Sequence, residues 1–437
     1  MPQGKTEGGG WEMRKMTRKD RVAEVYGGLL RVVAMVGLLS ALGLVVSAAQ
    51  AQTFTVLHNF TNGPDGGEPA AGLTMDRAGN FYGTASTGGN SAGLCSYQNP
   101  HGCGTVFKLS RKGSGWVFTP IYTFSGLDGA KPQARVIIGP DGTLYGTTYE
   151  GGGNVDGCNG YGCGTVFNLR PPAASCKSAL CPWTETVLYS FEGFTDGVEP
   201  TFGDLLFDGA GNIYGTTPHG GQGDHGTVYK LTHTNGGWTE TVVYRFQGGH
   251  DGATPYGGLV FDQAGNLWGT TAFGGTYNNG TIFELVPSGD GWTESVVYNF
   301  FGATDGANPY AGLIVDQYGN FYGATYGYDG TTPKVYELSP SNGGWTFTTL
   351  YSLGTNQGII GKLAMDTAGN LYGTNFYDVP EVFRLTPSNG GWTLTGAWGG
   401  MGSAPFGNVI LDGSGNLYTT ASNGGPSQVG LVFEITP

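Results

Sequence analysis

The sequence predicts an all-β protein, a seven-bladed β-propeller built from four-stranded antiparallel blades. Three observations carry this prediction: a motif that recurs seven times, four strand-like segments in each repeat, and chain ends that complement each other. A single small sheet cannot bury both of its faces, whereas seven sheets packed face to face in a ring can. An open β-solenoid is the alternative, but solenoids commonly have shorter repeats and nothing that closes them.

The recurring motif is a tight turn followed by a strand. Its copies are DRAGNFYGTA (76–85), GPDGTLYGTT (139–148), DGAGNIYGTT (208–217), DQAGNLWGTT (262–271), DQYGNFYGAT (316–325), DTAGNLYGTN (366–375) and DGSGNLYTTA (412–421). Asp and Gly are typical of such turns, because Asp accepts backbone N–H groups and Gly adopts positive φ. Calcium binding is the alternative, but one Asp per turn supplies too few ligands. The aromatic residue two positions after the Asn is expected to pack between blades.

Each repeat contains four segments with strand character. In the fourth repeat these are GGLVFD (257–262), NLWGTT (266–271), GTIFEL (280–285) and WTESVVYNF (292–300). β-branched and aromatic residues dominate them, as is typical of strands. The short apolar first segment suits the innermost strand, and the mixed fourth segment suits a half-exposed outer strand. No segment after residue 51 has a helical period.

The two ends of the predicted domain complete one blade. TFTVLHNF (53–60) matches the fourth strand type, while VILD (409–412), NLYTTA (416–421) and GLVFEITP (430–437) match the first three. The N-terminal strand is therefore predicted to close the seventh blade. Such closure removes two open sheet edges at once.

The amino-acid sequence of the repeats resembles that of the GloVer (Gloeo-Verruco) family of exported bacterial tandem-repeat proteins. The resemblance rests on the segments D-x-x-G-N-x-Y-G-T-T, G-T-V-F-K-L, W-T-E-T-V-V-Y and D-G-A-N-P-Y-A-G, and it covers nearly all of residues 53–437. It implies secretion and a propeller-like fold. The family has no established activity, so the resemblance implies no catalytic residue.

Residues 1–51 have the order of a secretory signal peptide. Lys and Arg crowd residues 5–31, an apolar run follows over 32–46, and SAAQA (47–51) offers small residues for cleavage. We therefore predict a signal peptide over 1–51 and one propeller domain over 52–437. Cleavage after Ala51 would leave no membrane span and a secreted, cell-surface or periplasmic protein. An uncleaved anchor is the alternative, although the apolar run is short for spanning a bilayer.

The charge argues against nucleic acid as a partner. The whole chain has a formal charge of −13, and residues 1–51 hold seven of its 20 basic and four of its 33 acidic residues. The remainder therefore carries −16, which repels phosphate backbones. We expect a monomer whose partner is a polysaccharide or a surface protein.

All six cysteines follow the predicted signal peptide. An even number of cysteines in an exported chain favours disulfides, and sequential pairing is the simplest arrangement. The predicted pairs are Cys95–Cys103, Cys158–Cys163 and Cys176–Cys181. Zinc is the alternative, but the spacings are not those of paired zinc knuckles and histidine is sparse nearby.

Residues outside the repeat pattern are the best candidates for a functional site. The loop PHGGQGDHG (218–226) and the connection GGHDG (248–252) are predicted to share one face of the third blade. That face would gather five groups that suit a divalent metal, or else solvated loop residues: His219, Asp224, His225, His250 and Asp251. Tyr256 and Tyr310 follow turn prolines and could line a sugar-stacking rim or cover the turn.

Catalytic signatures are weak in this sequence. It contains no G-x-S-x-G elbow, HExxH helix or P-loop, and no dinucleotide fingerprint in a strand–helix context. We favour a binding or interaction module at or outside the cell surface, with no cofactor unless a divalent metal binds. The alternatives are a glycosidase, lyase or metal-dependent hydrolase on the same scaffold, and a structural surface protein. An enzyme would gather titratable residues at one end of the channel, and a binding module would show an aromatic or hydroxyl-rich rim.

Overall fold

A computed structural model describes residues 53–92, 95, 101–153, 158, 160–173, 181–289, 291–327, 330–354, 358–375, 381–398 and 406–436. The predicted signal peptide, residues 1–51, lies outside these residues. Within them, no helix has the length and apolar character needed to cross a membrane.

The described residues form 28 strands in seven antiparallel sheets of four strands each, which confirms the predicted seven-bladed β-propeller. The first strand of the described residues is β1 (Thr53–Asn59). Blade 1 contains β2 (Thr74–Met75), β3 (Phe81–Ala85), β4 (Thr105–Lys112) and β5 (Gly115–Thr123). Blade 2 contains β6 (Ile137–Ile138), β7 (Leu144–Thr148), β8 (Thr165–Arg170) and β9 (Thr184–Ser190). Blade 3 contains β10 (Leu206–Phe207), β11 (Ile213–Thr217), β12 (Thr227–Thr234) and β13 (Gly237–Arg245), with a 3-10 turn at Gln222–Asp224.

The remaining blades repeat this order. Blade 4 contains β14 (Val260–Phe261), β15 (Leu267–Thr271), β16 (Thr281–Ser288) and β17 (Gly291–Asn299). Blade 5 contains β18 (Ile314–Val315), β19 (Phe321–Ala324), β20 (Lys334–Ser341) and β21 (Gly344–Ser352). Blade 6 contains β22 (Ala364–Met365), β23 (Leu371–Thr374), β24 (Val382–Ser388) and β25 (Gly391–Trp398). Blade 7 contains β26 (Ile410–Leu411), β27 (Leu417–Ala421) and β28 (Leu431–Thr436).

Strand β1 completes blade 7, as the chain ends predict. It pairs antiparallel with β28, from Thr53 opposite Thr436 to Asn59 opposite Leu431. Blade 7 then packs on blade 1, where the Phe81 and Tyr418 rings lie 4.4 Å apart. The inner strands also approach closely, since a Cβ on Gly72 would lie 2.6 Å from the backbone N of Asn408. Glycine at position 72 therefore lets the ring close.

The recurring Asp belongs to the turn between the first and second strands. In blade 4, Asp262 accepts the N–H groups of Ala264 and Asn266, at 2.8 and 2.9 Å, and the indole N–H of Trp268 at 3.1 Å. The Trp268 ring also packs against blade 5, 4.7 Å from the ring of Trp345. These contacts confirm the predicted roles of Asp262 in the turn and of Trp268 in packing between blades. They also connect the turn of blade 4 to the outer strand of blade 5.

A hydroxyl on the second strand of most blades bonds the next blade. Five threonines donate Oγ1–H to a carbonyl of the segment entering the neighbouring blade: Thr84, Thr216, Thr270, Thr374 and Thr420. Thr147, the counterpart in blade 2, has a buried hydroxyl with no hydrogen-bond partner in the described part of the chain. Blade 5 has Ala324 at this position, so two blade interfaces lack the bond that the other five have.

The blade interfaces also differ in what the fourth strand presents to the preceding blade. Between blades 1 and 2, 2 and 3, and 3 and 4 it presents a carboxyl group, from Glu185, Glu240 and Glu294. Burial, with a nearby Asp of the preceding blade as the second cause, raises the pKa of all three carboxyl groups to about 7.

At two other interfaces, a ring at this position stacks on a ring of the preceding blade. Between blades 4 and 5, Phe347 stacks on Tyr298 at 4.0 Å, and between blades 7 and 1, Phe118 stacks on His58 at 3.6 Å. The same backbone plan therefore accommodates either a buried acid or an aromatic stack.

Candidate functional site

We call one face of the ring the upper face. It carries the connections from the fourth strand of each blade to the first strand of the next, and the loops between second and third strands. Two of these loops contain disulfides, Cys95–Cys103 in blade 1 and Cys158–Cys163 in blade 2. The third predicted pair includes Cys176, which lies outside the described residues.

Two of the predicted candidates lie close together in the blade 3 loop. His219 Nδ1 and Asp224 Oδ2 are 3.9 Å apart, and Asp224 Oδ1 accepts the N–H of Gly220 at 2.7 Å. The Asp224 side chain is more than half exposed. This contact is an open surface pair that also stabilises its own loop.

His225 and Asp251 belong to the same corner of the upper face. A Cβ on Gly248 would lie 2.6 Å from His225 Nε2, so the connection passes directly over the imidazole. Asp251 accepts the Tyr244 hydroxyl at 3.0 Å and the N–H of Gln247 at 2.6 Å. Burial raises the pKa of the Asp251 carboxyl.

The role of Asp251 is repeated around the ring. Asp128, Asp196 and Asp305 each accept a Tyr hydroxyl in the same way, from Tyr122, Tyr189 and Tyr298. His250 is exposed. The described residues contain no group of three or more His, Cys, Asp or Glu placed to hold a metal ion. The five candidates thus lie on the loop and the connection of blade 3, where His219 and Asp224 are close together. Asp251 also accepts a hydrogen bond that stabilises the fold.

Tyr256 and Tyr310 lie side by side near the channel mouth. Their rings stack at 4.7 Å with an interplanar angle of 20°. The series continues to Phe202 on one side, 6.3 Å from Tyr256, and to Tyr326 on the other, 5.0 Å from Tyr310. These four half-buried rings form an arc across blades 3 to 5, which we call the inner arc.

A second aromatic group on the upper face was missed by sequence reasoning. Tyr277 and Phe301 are about half exposed, at 51% and 52%, and their rings lie 4.8 Å apart and nearly perpendicular. The residue before Tyr277 donates its N–H to Asn299 Oδ1, and Phe301 donates its N–H to Asp305. We call Tyr277 and Phe301 the outer pair. Backbone bonds hold it, although solvent reaches both rings.

The signal for the outer pair was present in the chain. Tyr277 stands just after G-T-T-A-F-G-G, at the point where the seven copies stop agreeing, and Phe301 stands in a connection of variable sequence. Neither position has an aromatic counterpart in most repeats. The sequence does not show that the two loops lie close enough for these rings to make contact.

The centre of the ring holds a charged cluster that was also missed in the sequence, because its residues come from separate repeats. Arg135 donates to Asp204 through Nε at 3.2 Å and through Nη2 at 2.6 Å. Lys362 and Asn408 lie beside this pair, and Asn408 Oδ1 accepts the backbone N–H of Lys362 at 2.5 Å. All four residues occupy one repeat position, where three other blades have Gly72, Gly258 and Gly312. We call Arg135, Asp204, Lys362 and Asn408 the channel cluster.

The channel cluster bears on the enzyme alternative. Glycoside hydrolysis commonly needs two carboxyl groups about 5 to 9.5 Å apart. Among the described residues that line the recess at the upper channel mouth, Asp204 is the only carboxylate, and Arg135 holds both of its oxygens. The described lining of this recess therefore contains no carboxylate pair.

The fold and its upper face define the class first: a closed seven-bladed propeller with disulfide-bearing loops and an aromatic surface. The family follows from a sequence match. Residues 19–179 and 156–381 match the Gloeobacter/Verrucomicrobia repeat. The chain belongs to this family, which confirms the resemblance found in its repeats.

Solved structures show a weaker likeness, and no curated protein matches the chain significantly. A provisionally assigned 6-phosphogluconolactonase from Bacteroides uniformis is 18% identical over 75% of this chain and 87% of its own, with a TM-score of 0.49. A gluconolactonase from Xanthomonas campestris is 14% identical over 67% and 81%, with a TM-score of 0.39. A glucose dehydrogenase is 13% identical over 88% and 99%, with a TM-score of 0.44.

Proposed function

We propose that this protein is an exported saccharide-binding propeller, with its binding surface on the upper face of blades 4 and 5. The observation that carries the proposal is the outer pair, two exposed rings held by backbone hydrogen bonds. Aromatic rings combine a large apolar face with low conformational entropy, which suits stacking against the C–H faces of sugars. The half-buried inner arc meets this surface at Tyr310, which follows Phe301 in the connection from blade 4 to blade 5 and stacks on Tyr256.

Export is supported by the chemistry of the chain. The disulfides Cys95–Cys103 and Cys158–Cys163 suit an oxidising compartment, and residues 1–51 have the order of a signal peptide. Loops that face the cell exterior benefit from such crosslinks, because a crosslink limits the unfolded states of the loop. A polysaccharide outside the cell is the partner that fits these features.

Affinity electrophoresis against a panel of plant, algal and microbial polysaccharides tests the proposal. We expect at least one polysaccharide to retard the protein, and the double variant Tyr277→Ala/Phe301→Ala to weaken that binding about tenfold or more. The matched control is Tyr318→Ala, because Tyr318 is 74% exposed but lies in a first-to-second-strand turn on the opposite face.

Three outcomes would contradict the proposal. The first is the absence of retardation across the panel, which would favour a structural surface protein. The second is an equal loss of binding in the Tyr318→Ala control. The third is release of reducing sugar that a chelator abolishes, which would favour a metal-dependent enzyme.

A further inference from the structure

The lower half of the central channel contains an open cavity of about 430 Å³. Its walls are mostly apolar side chains from the inner strands, including Ile314, Met365 and Ile410. Its polar lining comes from the channel cluster, namely Arg135, Lys362 and Asn408. The volume lies within the range of small-molecule sites, which are commonly apolar with a few placed polar groups.

The charges around this cavity do not balance. Asp204 is engaged by Arg135 through two hydrogen bonds, so this pair is neutral. Lys362 Nζ has no hydrogen-bond acceptor or ion-pair partner within the described residues, although Asp204 lies near enough to interact through space. Burial lowers the pKa of Lys362, as expected for an ammonium removed from water without a direct partner. When Lys362 is protonated, the cluster carries one more positive than negative charge inside an acidic protein.

Asn408 adds a second donor. Its Oδ1 accepts the backbone N–H of Lys362, which assigns the other atom of the amide as Nδ2 and leaves its two hydrogens available. Lys362 and Asn408 both line the cavity, so their ammonium and amide N–H₂ groups could donate to one bound carboxylate. Charge-assisted hydrogen bonds of this kind are stronger than those between neutral groups.

We propose that this cavity binds a small organic monocarboxylate, with its carboxylate on Lys362 and Asn408 and its apolar body against the Ile and Met side chains. Arg135 is paired with Asp204, so Lys362 is the one cation of the described lining that is free to bind an anion. One such cation beside apolar walls selects an amphipathic anion over a neutral sugar or a multiply charged phosphate. The site lies in the lower channel and is separate from the saccharide surface proposed above, so either proposal can fail alone.

Calorimetric titration of the purified protein with octanoate tests this inference. We expect octanoate to bind at neutral pH, and 1-octanol and octylamine to bind at least about tenfold more weakly, since neither presents a negative charge. Acetate keeps the charge but lacks the apolar body, and it should also bind more weakly. Equal binding of octanol and octanoate, or no binding of octanoate up to about 10 mM, overturns the proposal.

Variants locate the site. Lys362→Met should lower octanoate affinity at least about tenfold, whereas Lys230→Met should not, because Lys230 lies over the Tyr214 ring outside the channel. Asn408→Asp is a second variant that controls for a folding defect. It keeps an oxygen that can accept the backbone N–H of Lys362, but its negative charge would repel the carboxylate of octanoate. Its melting temperature should stay near the wild-type value while octanoate binding is lost. Normal octanoate binding by folded Lys362→Met or Asn408→Asp protein contradicts the assignment.

Discussion

The interface between blades 2 and 3 and the interface between blades 4 and 5 share one backbone plan but differ in their contents. In the first, Glu240 lies near the Tyr189–Asp196 pair, and one of its carboxylate oxygens is buried without a hydrogen-bond partner in the described residues. In the second, Phe347 stacks on Tyr298, whose hydroxyl bonds Asp305. The repeat therefore specifies the shape of an interface, and the residue at a single position decides whether the stability of that interface depends on pH.

The charged interfaces are grouped in the ring. They separate blades 1 to 4, which also carry the two described disulfides, and aromatic stacks flank them on both sides. A buried acid costs stability when it ionises, whereas the stack of Phe347 on Tyr298 contains no group that titrates between pH 5 and 8. Three substitutions test this difference, in order of expected effect.

Removing the Phe347 ring should have the largest effect. Phe347→Ala deletes contacts with Tyr298 and with the buried Tyr336 ring, 5.2 Å away, and we expect a loss of about 3 kcal/mol that is the same at pH 5 and pH 8. Urea unfolding at both pH values measures it. Phe194→Ala is the matched control, because Phe194 is 70% exposed and its loss should cost less than about 0.5 kcal/mol. A strongly pH-dependent loss at Phe347 would contradict the comparison.

Removing the hydroxyl of a threonine at a blade interface should have an intermediate effect on stability. Thr270→Val removes the bond to the Ala311 carbonyl between blades 4 and 5, and we expect a loss of about 1 to 2 kcal/mol. Thr147→Val removes a buried hydroxyl that has no partner in the described residues, so it should be neutral or slightly stabilising. Thermal unfolding of both variants side by side measures the difference. Equal losses would show that the bond itself contributes nothing.

Neutralising Glu240 should have the smallest effect, and it should depend on pH. Burial raises the pKa of the Glu240 carboxyl from 4.5 to about 7, so the folded state retains the proton longer than the unfolded state. The associated stability is present below pH 4.5 and is lost as the pH rises through 7. Glu240→Gln should therefore be more stable than wild type at pH 8 by about 1 kcal/mol, allowing for partial solvent exposure, and similar at pH 4.

Urea midpoints across this pH range measure the Glu240 effect. Glu68→Gln is the control, since Glu68 is exposed on the upper face. A Glu240→Gln variant with the same pH profile as wild type would show that the carboxyl group is not the source of the dependence.

Much of the fold could be predicted because its causes are local and repeated. Asp262 and Gly265 define a turn by their own chemistry, and six related copies fix the number of blades. Strand β1 could be placed on β28 because the N-terminal segment has the pattern of a fourth strand. The site was less predictable. The sequence predicts Asp251 as a candidate ligand from its neighbours, and only the structure shows that its carboxylate also accepts the Tyr244 hydroxyl across the turn.

The sequence by itself determined the seven blades, their strand order, the closure of the ring and the sequential disulfides at Cys95–Cys103 and Cys158–Cys163. Only the tertiary structure decided which unlike residues meet. Arg135, Asp204, Lys362 and Asn408 come from four blades, yet they surround one axis because the ring brings the same position of every blade to the channel. The outer pair arises in the same way, from two loops more than twenty residues apart. A repeat encodes its own shape locally, while a site that spans repeats depends on closure of the whole ring.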